Sequence, residues 1–168
     1  PDFAEYVQGI AERLEQSGYK LADLQFHQHI SYDIDCNWKT YVDNYLEGYH
    51  VPHVHPELNK LLDYRSYVTT TKQWHSMQFS PLESGDDLYG SGDALYYFLY
   101  PNTMLNILPG RLQTNRVLPL PNNRCRVEFD FFYAESQGEQ DDARRVRDLE
   151  FSDVVQDEDI KICVDVQR

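Results

Sequence analysis

The sequence predicts an α+β domain in which helices cover an antiparallel β-sheet. Two observations predict this fold class. Helical patterns occur near the N-terminus, around residues 37–49 and from residue 140 to the end. Between them, runs rich in β-branched and aromatic residues follow one another, separated by short turns that contain Gly, Pro, Asn or Asp. Such a series of strands forms an antiparallel sheet, and we expect the helices on one face of it.

The first helix is predicted over residues 3–18, where apolar side chains recur on one stripe. Residues 21–35 alternate between apolar and polar side chains, including Phe26 on the apolar side, which predicts a half-buried strand. His27 and His29 of this strand would share one face. Such a pair is more often part of a solvated face than a pair of metal ligands.

A second helix is predicted over residues 37–49, and Pro52 prevents it from continuing. A short helix follows at residues 56–64. Five strands come next, separated by turns such as residues 84–87 (SGDD) and 121–123 (PNN), and a charged helix ends the chain. The predicted strands and the last helix are residues 66–80, 94–100, 103–109, 111–120, 124–135 and 140–168.

Acidic residues outnumber basic ones by 28 to 15, and the net charge is −13. Nucleic acids and anionic membrane surfaces require a basic footprint, so neither is an expected partner, whereas a cationic ligand is compatible with this charge. No apolar run is long enough to span a bilayer. Because the sequence starts at Pro1 and stops within a periodic segment, we expect it to be part of a longer polypeptide.

The three cysteines, Cys36, Cys125 and Cys163, lie far apart and form no C-x-x-C or C-x-H pair. A zinc ribbon or an iron–sulfur cluster therefore cannot be built from this chain alone. Free, buried thiols are the expected state, which predicts a reducing, cytoplasmic setting.

The stretch DNYLEGYHVPHVHPEL, residues 43–58, contains three histidines around a proline. A helix that continues to His50 would place Asp43, Glu47 and His50 on one face. Pro52 would then turn the chain away from that helix.

His55 would arrive from the loop after this turn, and it can still meet His50 at one ion. Two histidines and a ligand from elsewhere form the facial site of iron(II) oxygenases, which leaves positions open for oxygen and substrate. His53 is interpreted as a loop residue outside the site. The spacing alone leaves open whether these histidines bind metal or are ordinary surface or core residues.

The longer string NWKTYVDNYLEGYHVPHVHPEL, residues 37–58, resembles the mononuclear-iron segment of the α subunits of Rieske non-heme iron oxygenases. Five elements occur at that family's spacing: N-W-K, an acid–Asn pair, an acid three residues before a His, that His, and a second His five residues later. The resemblance implies that His50 and His55 bind Fe(II) and that Asp43 and Asn44 belong to the catalytic residues.

The family's carboxylate ligand lies far downstream in a helix, directly after an acid and eight residues before a Gln. In QDEDIKICVDVQ, Asp159 follows Glu158 and precedes Gln167 by eight. The resemblance therefore implies Asp159 as the third ligand, with Asp157 and Asp165 as weaker alternatives. By itself this acidic run is typical of a solvated helix face.

The resemblance also implies partners. In the family, the acid at the position of Glu47 links an iron-ligand histidine to a histidine of the [2Fe–2S] Rieske cluster in a neighbouring subunit. Electrons come from NAD(P)H through a reductase or ferredoxin, the subunits form a homotrimer, and the catalytic sheet is helix-grip-like. The C-x-H and C-x-x-H pairs of the Rieske domain do not occur here. Residues 1–168 are therefore expected to be the mononuclear iron catalytic domain alone.

Strand residues are expected to face a small organic substrate, although alternation leaves the inward face open and strand aromatics are more often core. The motif GYHVPxxHP is similar to that of choline monooxygenase-type members, which act on quaternary amines. Tyr-rich strands would also suit a cationic substrate. An apolar aromatic substrate fits the same residues. The main candidates are Trp74, Tyr97, Met104 and Asn106, followed by Met77, Phe79, Leu99 and Leu108.

The function implied is O2-dependent hydroxylation of an aromatic ring or oxidative demethylation of an amine. Two alternatives remain. The first is a zinc-dependent hydrolase that uses the same ligands with Glu47 as general base. The second is a non-catalytic ligand-binding domain of similar shape.

Overall fold

The computed structural model describes residues 2–82 and 88–168, so the predicted turn at 84–87 lies outside the described residues. No helix among the described residues is long and apolar enough to cross a membrane. The helices are α1 Phe3–Tyr6, α2 Ile10–Gln16, α3 Trp38–Leu46, α4 Val51–Val54, α5 Pro56–Leu61 and α6 Glu139–Gln167. The strands are β1 Leu24–Ile34, β2 Val68–Thr71, β3 His75–Pro81, β4 Asp93–Leu99, β5 Thr103–Leu108, β6 Arg111–Leu120 and β7 Arg124–Ala134.

The seven strands form one antiparallel sheet in the order β1-β7-β6-β5-β4-β3-β2. Asn122 and Asn123 have positive φ values of 62° and 55° in the predicted turn between β6 and β7, as a tight hairpin requires. The single strand predicted over residues 66–80 is instead a hairpin of β2 and β3. The Lys72 N–H closes it on the carbonyl of His75 at 2.8 Å. The predicted α+β class, a helix-covered antiparallel sheet, is confirmed.

Side chains alternate between the two faces of the sheet. One face, called the core face below, carries Phe98, Met104 and Phe129 and packs against α3 and α6. Helices α4 and α5 cover part of the same face, where Val51 packs in a cluster with Leu108. Four of the six α-helices in the described part of the chain therefore cover the core face, and the space between them and the sheet holds the candidate site.

Helices α1 and α2 lie on the other face, where Ile10 packs in a cluster with Leu95 and Ile107. The expectation that all helices cover one face is therefore wrong for this pair. Gly9, with a φ of 83°, also divides the single helix predicted over residues 3–18, because this left-handed conformation suits a residue without a Cβ.

A β-bulge shifts the register of β1 directly after Phe26. Phe26, which was predicted on the apolar stripe, therefore lies on the other face and is 59% exposed. The predicted shared face of His27 and His29 is also wrong. His27 packs its ring against Tyr133 of the core face, whereas His29 lies opposite Asp130 on the other face.

Candidate metal centre

Helix α3 ends before Glu47, which is extended with φ −124° and ψ 156°. The helical face predicted for Asp43, Glu47 and His50 is therefore wrong. Gly48 follows, and glycine is among the residues least favourable in a helix. A Cβ at this position would meet the ring of Tyr67 at 2.6 Å. The chain can pass this ring because residue 48 is glycine.

Pro52 lies in the first turn of a helix of its own, α4. It occupies the second position of α4, as Pro56 occupies the first of α5, and the first turn of a helix tolerates proline. His50 is the N-cap residue of α4, and His55 is both the C-cap of α4 and the N-cap of α5. The two imidazoles thus flank one four-residue helix, and their ring centroids lie 5.0 Å apart.

His50, His55 and Asp159 each bring one potential ligand atom within 4.8 Å of the other two. Oδ1 of Asp159 lies 3.0 Å from His55 Nε2 and 3.8 Å from His50 Nε2, and it accepts a hydrogen bond from Asn44 Nδ2 at 2.7 Å. Two ligands that each lie about 2 Å from an ion are separated by about 3–3.5 Å. One of these separations lies in this range, and the group as a whole is slightly wider, so small movements of the side chains would bring all three to one ion. Two imidazoles with one carboxylate are the donors of a facial iron(II) site.

Each of the two histidines binds a carboxylate through its other ring nitrogen. Glu47 Oε1 lies 2.6 Å from His50 Nδ1, and Glu158 Oε2 lies 2.7 Å from His55 Nδ1. When a carboxylate accepts the hydrogen of Nδ1, the lone pair is left on Nε2. Both Nε2 atoms face Asp159, so both rings present their ligand atom to the same point.

Two carboxylates determine the electrostatics at His55, whose side chain is 1% exposed. Burial disfavours a charge on the ring, but the hydrogen bonds and negative charges of Asp159 and Glu158 outweigh it. The pKa of His55 is therefore raised above its ordinary value of 6.5. The site favours a positive charge at this point, either a proton on the ring or a metal ion in its place.

The three side chains line a cavity between the helices and the core face of the sheet. Three polar side chains of β6 line it as well: Arg111, Gln113 and Asn115. Arg111 donates to Asp148 at 2.6 Å, and this carboxylate balances the charge of the guanidinium. Gln113 donates to Asn115 at 2.8 Å. Aromatic side chains complete much of the wall, namely Tyr41, Tyr45, Tyr67, Tyr89, Tyr96, Phe129 and Phe151.

Asn106, one of the predicted substrate-facing residues, lines this cavity, and its side-chain oxygen accepts from Tyr45 Oη at 2.7 Å. The prediction for Tyr97 is wrong. Tyr97 packs with α2 on the other face, because neighbouring residues of a strand point to opposite faces. Its neighbour Tyr96 lines the cavity instead.

The predictions for Met104 and Trp74 are wrong as well. Met104 lies on the core face but belongs to the fully packed cluster that contains Val42 of α3. Trp74 lies between β2 and β3, and its ring is tilted by 50° against that of Tyr100, with the centroids 6.4 Å apart. Among the secondary candidates Leu108 lines the cavity, whereas the others pack on the face that carries α1 and α2: Met77, Phe79 and Leu99.

The remaining residues predicted for the site lie away from the group of His50, His55 and Asp159. Asp43 is exposed on α3 and does not line the cavity, and His53 is exposed on α4. Asp157 and Asp165, the alternatives to Asp159, are exposed on α6 and lie outside the three-residue group.

Sequence reasoning missed the contact of Glu158 with His55 and the place of Gln156 in the cavity wall. A signal was present, because Gln156 and Asp159 are three residues apart and share one helix face. The polar residues at every second position of β6, beginning with Arg111, also indicated that one face of this strand is polar.

The family model described as "Ring hydroxylating alpha subunit (catalytic domain)" matches residues 21–168. The chain belongs to this family. A chloroplastic choline monooxygenase of Arabidopsis thaliana is 42% identical over 171 residues, covering 98% of this chain and 40% of that protein. The carnitine monooxygenase oxygenase subunit of Acinetobacter baumannii is 25% identical, covering 95% of this chain and 45% of that protein. The chain therefore spans less than half the length of these relatives.

Two solved structures share the fold of this chain. A quaternary ammonium Rieske monooxygenase matches with a TM-score of 0.85 and 24% identity, covering 100% of this chain and 47% of that one. Naphthalene 1,2-dioxygenase from Rhodococcus sp. matches with a TM-score of 0.70 and 15% identity, covering 100% and 50%. The predicted architecture of a Rieske oxygenase catalytic domain is thus confirmed.

Proposed function

We propose that this domain is the mononuclear-iron catalytic part of a Rieske monooxygenase that oxidises a quaternary amine. One observation carries the proposal: His50, His55 and Asp159 present ligand atoms within 4.8 Å of one another at the wall of an aromatic-lined cavity. Fe(II) held by these side chains would supply the activation of O2. Membership of the ring-hydroxylating family supports iron as the metal.

Three neighbouring side chains would keep the ligands in place. Glu47 and Glu158 hold the Nδ1 hydrogens of the two histidines, which leaves Nε2 as the coordinating atom of each ring. In His55 the metal would replace the hydrogen that Nε2 shares with Asp159. Asn44 donates to Oδ1 of Asp159 and fixes the orientation of that carboxylate. The ligand set is therefore ordered by hydrogen bonds before metal arrives.

Glu47 is also suited to connect this site with a partner. Its side chain is 25% exposed while it binds Nδ1 of His50, so a histidine from a neighbouring subunit could donate to it from outside. We place the Rieske cluster of a neighbouring subunit there, in a homotrimer that receives electrons from NAD(P)H through a reductase or ferredoxin.

The aromatic wall of the cavity supports a cationic substrate. Ring faces attract a quaternary ammonium group, which has no N–H to donate and is recognised by its charge and apolar surface. The names of several relatives point the same way: choline monooxygenase, carnitine monooxygenase oxygenase subunit and putrescine 2-hydroxylase all act on amines. A quaternary amine is therefore favoured over an apolar aromatic ring.

The zinc-hydrolase alternative requires Glu47 as a general base. Both oxygens of Glu47 are engaged by His50, one with Nδ1 at 2.6 Å and the other with the backbone N–H at 3.2 Å. This carboxylate therefore lies behind the ligand, away from the position of a metal-bound water. The non-catalytic alternative leaves the ordered ligand set without a role.

An electron paramagnetic resonance experiment tests the proposal. The protein is loaded anaerobically with Fe(II) and exposed to nitric oxide, and a high-spin iron–nitrosyl signal is expected. Asp159→Ala should lose it, whereas Asp165→Ala, which removes an exposed acid of the same helix, should keep it. A wild type without the signal would overturn the iron site. An unchanged signal in Asp159→Ala would overturn only that ligand.

The location of the protein stays a prediction. All three cysteines are free and buried, as expected for a reducing compartment. The choline monooxygenases among the relatives are named as chloroplastic, so the chloroplast is a candidate compartment besides the cytoplasm.

A further inference from the structure

One buried donor in the cavity has no partner within the chain. Among the described residues, three buried side-chain atoms lack a hydrogen bond: Trp74 Nε1, Ser76 Oγ and Gln156 Nε2. Of these three residues, only Gln156 lines the cavity. Its side chain is buried, with 2% exposure, and it lies one turn before Asp159 on α6. A buried N–H without a partner is rare and calls for an explanation.

A neighbour fixes how the amide of Gln156 is oriented. Tyr41 Oη donates to Gln156 Oε1 at 2.6 Å. The phenol is buried and must place its hydrogen on an acceptor, so the amide oxygen is held towards Tyr41. The Nε2 group therefore points away from Tyr41, and it is buried without a partner in a residue of the cavity wall.

Three other amides of the cavity wall already use a donor. Gln113 Nε2 donates to Asn115 at 2.8 Å, Gln78 Nε2 to the carbonyl of Tyr45 at 2.6 Å, and Asn44 Nδ2 to Asp159. These contacts hold the wall together. Gln156 differs from these three because its donor is buried and has no partner among the described residues.

We propose that Gln156 is a specificity-determining residue whose Nε2 donates to an oxygen atom of the substrate. With the quaternary ammonium group of the proposed function, on which this inference rests, the substrate would be a hydroxyl-bearing ammonium cation. A carboxylate is less suited. Arg111 is the only Lys or Arg among the described residues that line the cavity, and Asp148 already balances its charge.

Three isosteric ligands separate the two parts of this substrate: choline, n-propyltrimethylammonium, which lacks the hydroxyl, and 3,3-dimethylbutan-1-ol, which lacks the charge. Their Kd values are measured by anaerobic titration calorimetry on the Fe(II)-loaded full-length protein. The wild type should bind choline about tenfold more tightly than n-propyltrimethylammonium. Gln156→Met should weaken choline binding about tenfold and leave the propyl compound unchanged.

Two further variants complete the test. Gln156→Met leaves the Tyr41 hydroxyl without its acceptor, so Tyr41→Phe/Gln156→Met, which removes both groups, should show the same selective loss. Gln140→Met carries the same substitution at an exposed position in the first turn of α6 and should bind all three ligands as the wild type does.

An equal loss of choline and n-propyltrimethylammonium affinity in Gln156→Met would overturn the inference and assign the residue a packing role. A result in the wild type alone would overturn the proposed substrate. If the wild type bound the neutral alcohol but neither cation, the quaternary-amine assignment would be wrong. The role of Gln156 would then be supported by loss of alcohol binding in Gln156→Met and overturned by its retention.

Discussion

At the scale of single residues, two carboxylates decide which nitrogen each histidine presents. Without them, an imidazole in this wall could carry its hydrogen on either nitrogen. Glu47 and Glu158 remove this freedom by accepting from Nδ1 at 2.6 and 2.7 Å. Glu158 thus has a role at His55 equivalent to that of Glu47 at His50.

We predict that Glu158→Ala lowers Fe(II) affinity about 10–100-fold, because loss of such a partner frees the ligand ring and reduces its basicity. Asp157→Ala, which removes the exposed acid next to it, should leave the affinity unchanged. Competition with a chelator of known affinity measures both values. Equal affinities in the two variants would show that Glu158 has no positioning role.

The raised pKa of His55 predicts a pH dependence of the metal-free domain. The folded state binds this proton more tightly than the unfolded state, so the stabilisation is complete below about pH 6.5 and is lost as pH rises through the raised pKa. Melting temperatures should therefore fall more steeply over this range for the wild type than for His55→Asn. If the melting temperatures of the two proteins fell in parallel with pH, His55 would not be the source of the pH dependence. Fe(II) affinity should rise in the same direction, because metal replaces the proton.

At the scale of elements, a four-residue helix sets the separation of the two histidines. Helix α4 is too short to be stable alone. Its position depends on packing, in which buried Val51 anchors one end and Gly48 allows the preceding loop to pass the ring of Tyr67. The geometry of the ligands therefore depends on the loop between α3 and α4, which carries His50.

We predict that Gly48→Ala destabilises the fold by about 1–3 kcal/mol, because the added methyl group overlaps the ring of Tyr67. Fe(II) affinity should fall with it as α4 is displaced. Tyr67→Ala removes the obstacle, so Gly48→Ala should cost less in that background. Chemical denaturation and chelator competition measure the two effects. An equal cost in both backgrounds would exclude this contact as the cause.

At the scale of the whole molecule, the site exists because α6 is held across the sheet. Asp148 on this helix accepts from Arg111 of β6 at 2.6 Å and also from the hydroxyls of Tyr89 and Tyr133. Two turns further along, Gln156 contacts Tyr41 of α3. These buried contacts place α6 so that Asp159 reaches the histidines.

We predict that Asp148→Asn destabilises the domain by about 3–5 kcal/mol, because it leaves the buried charge of Arg111 without its partner. Asp165→Asn makes the same change at an exposed pair with Arg168 on the same helix and should cost less than about 1 kcal/mol. Urea denaturation measures both. Similar small losses would show that the pair does not hold the helix.

The sequence predicted much of the fold because hydrophobic period and turn residues are local signals. It identified the strands from β4 to β7, the last helix and the antiparallel sheet. It failed at the bulge of β1 and at the break in the first helix. In both places an irregular backbone conformation at one residue alters the face or the direction of the residues that follow it.

The sequence by itself determined the identity of the candidate ligands, because His50, His55 and Asp159 stand at spacings that resemble a known pattern. The tertiary structure decided what surrounds them. Which residues of β4 and β5 face the cavity depends on strand register, which a change of one residue reverses. The contacts of Glu158 and Gln156 join elements more than a hundred residues apart in sequence, and only packing brings such groups together.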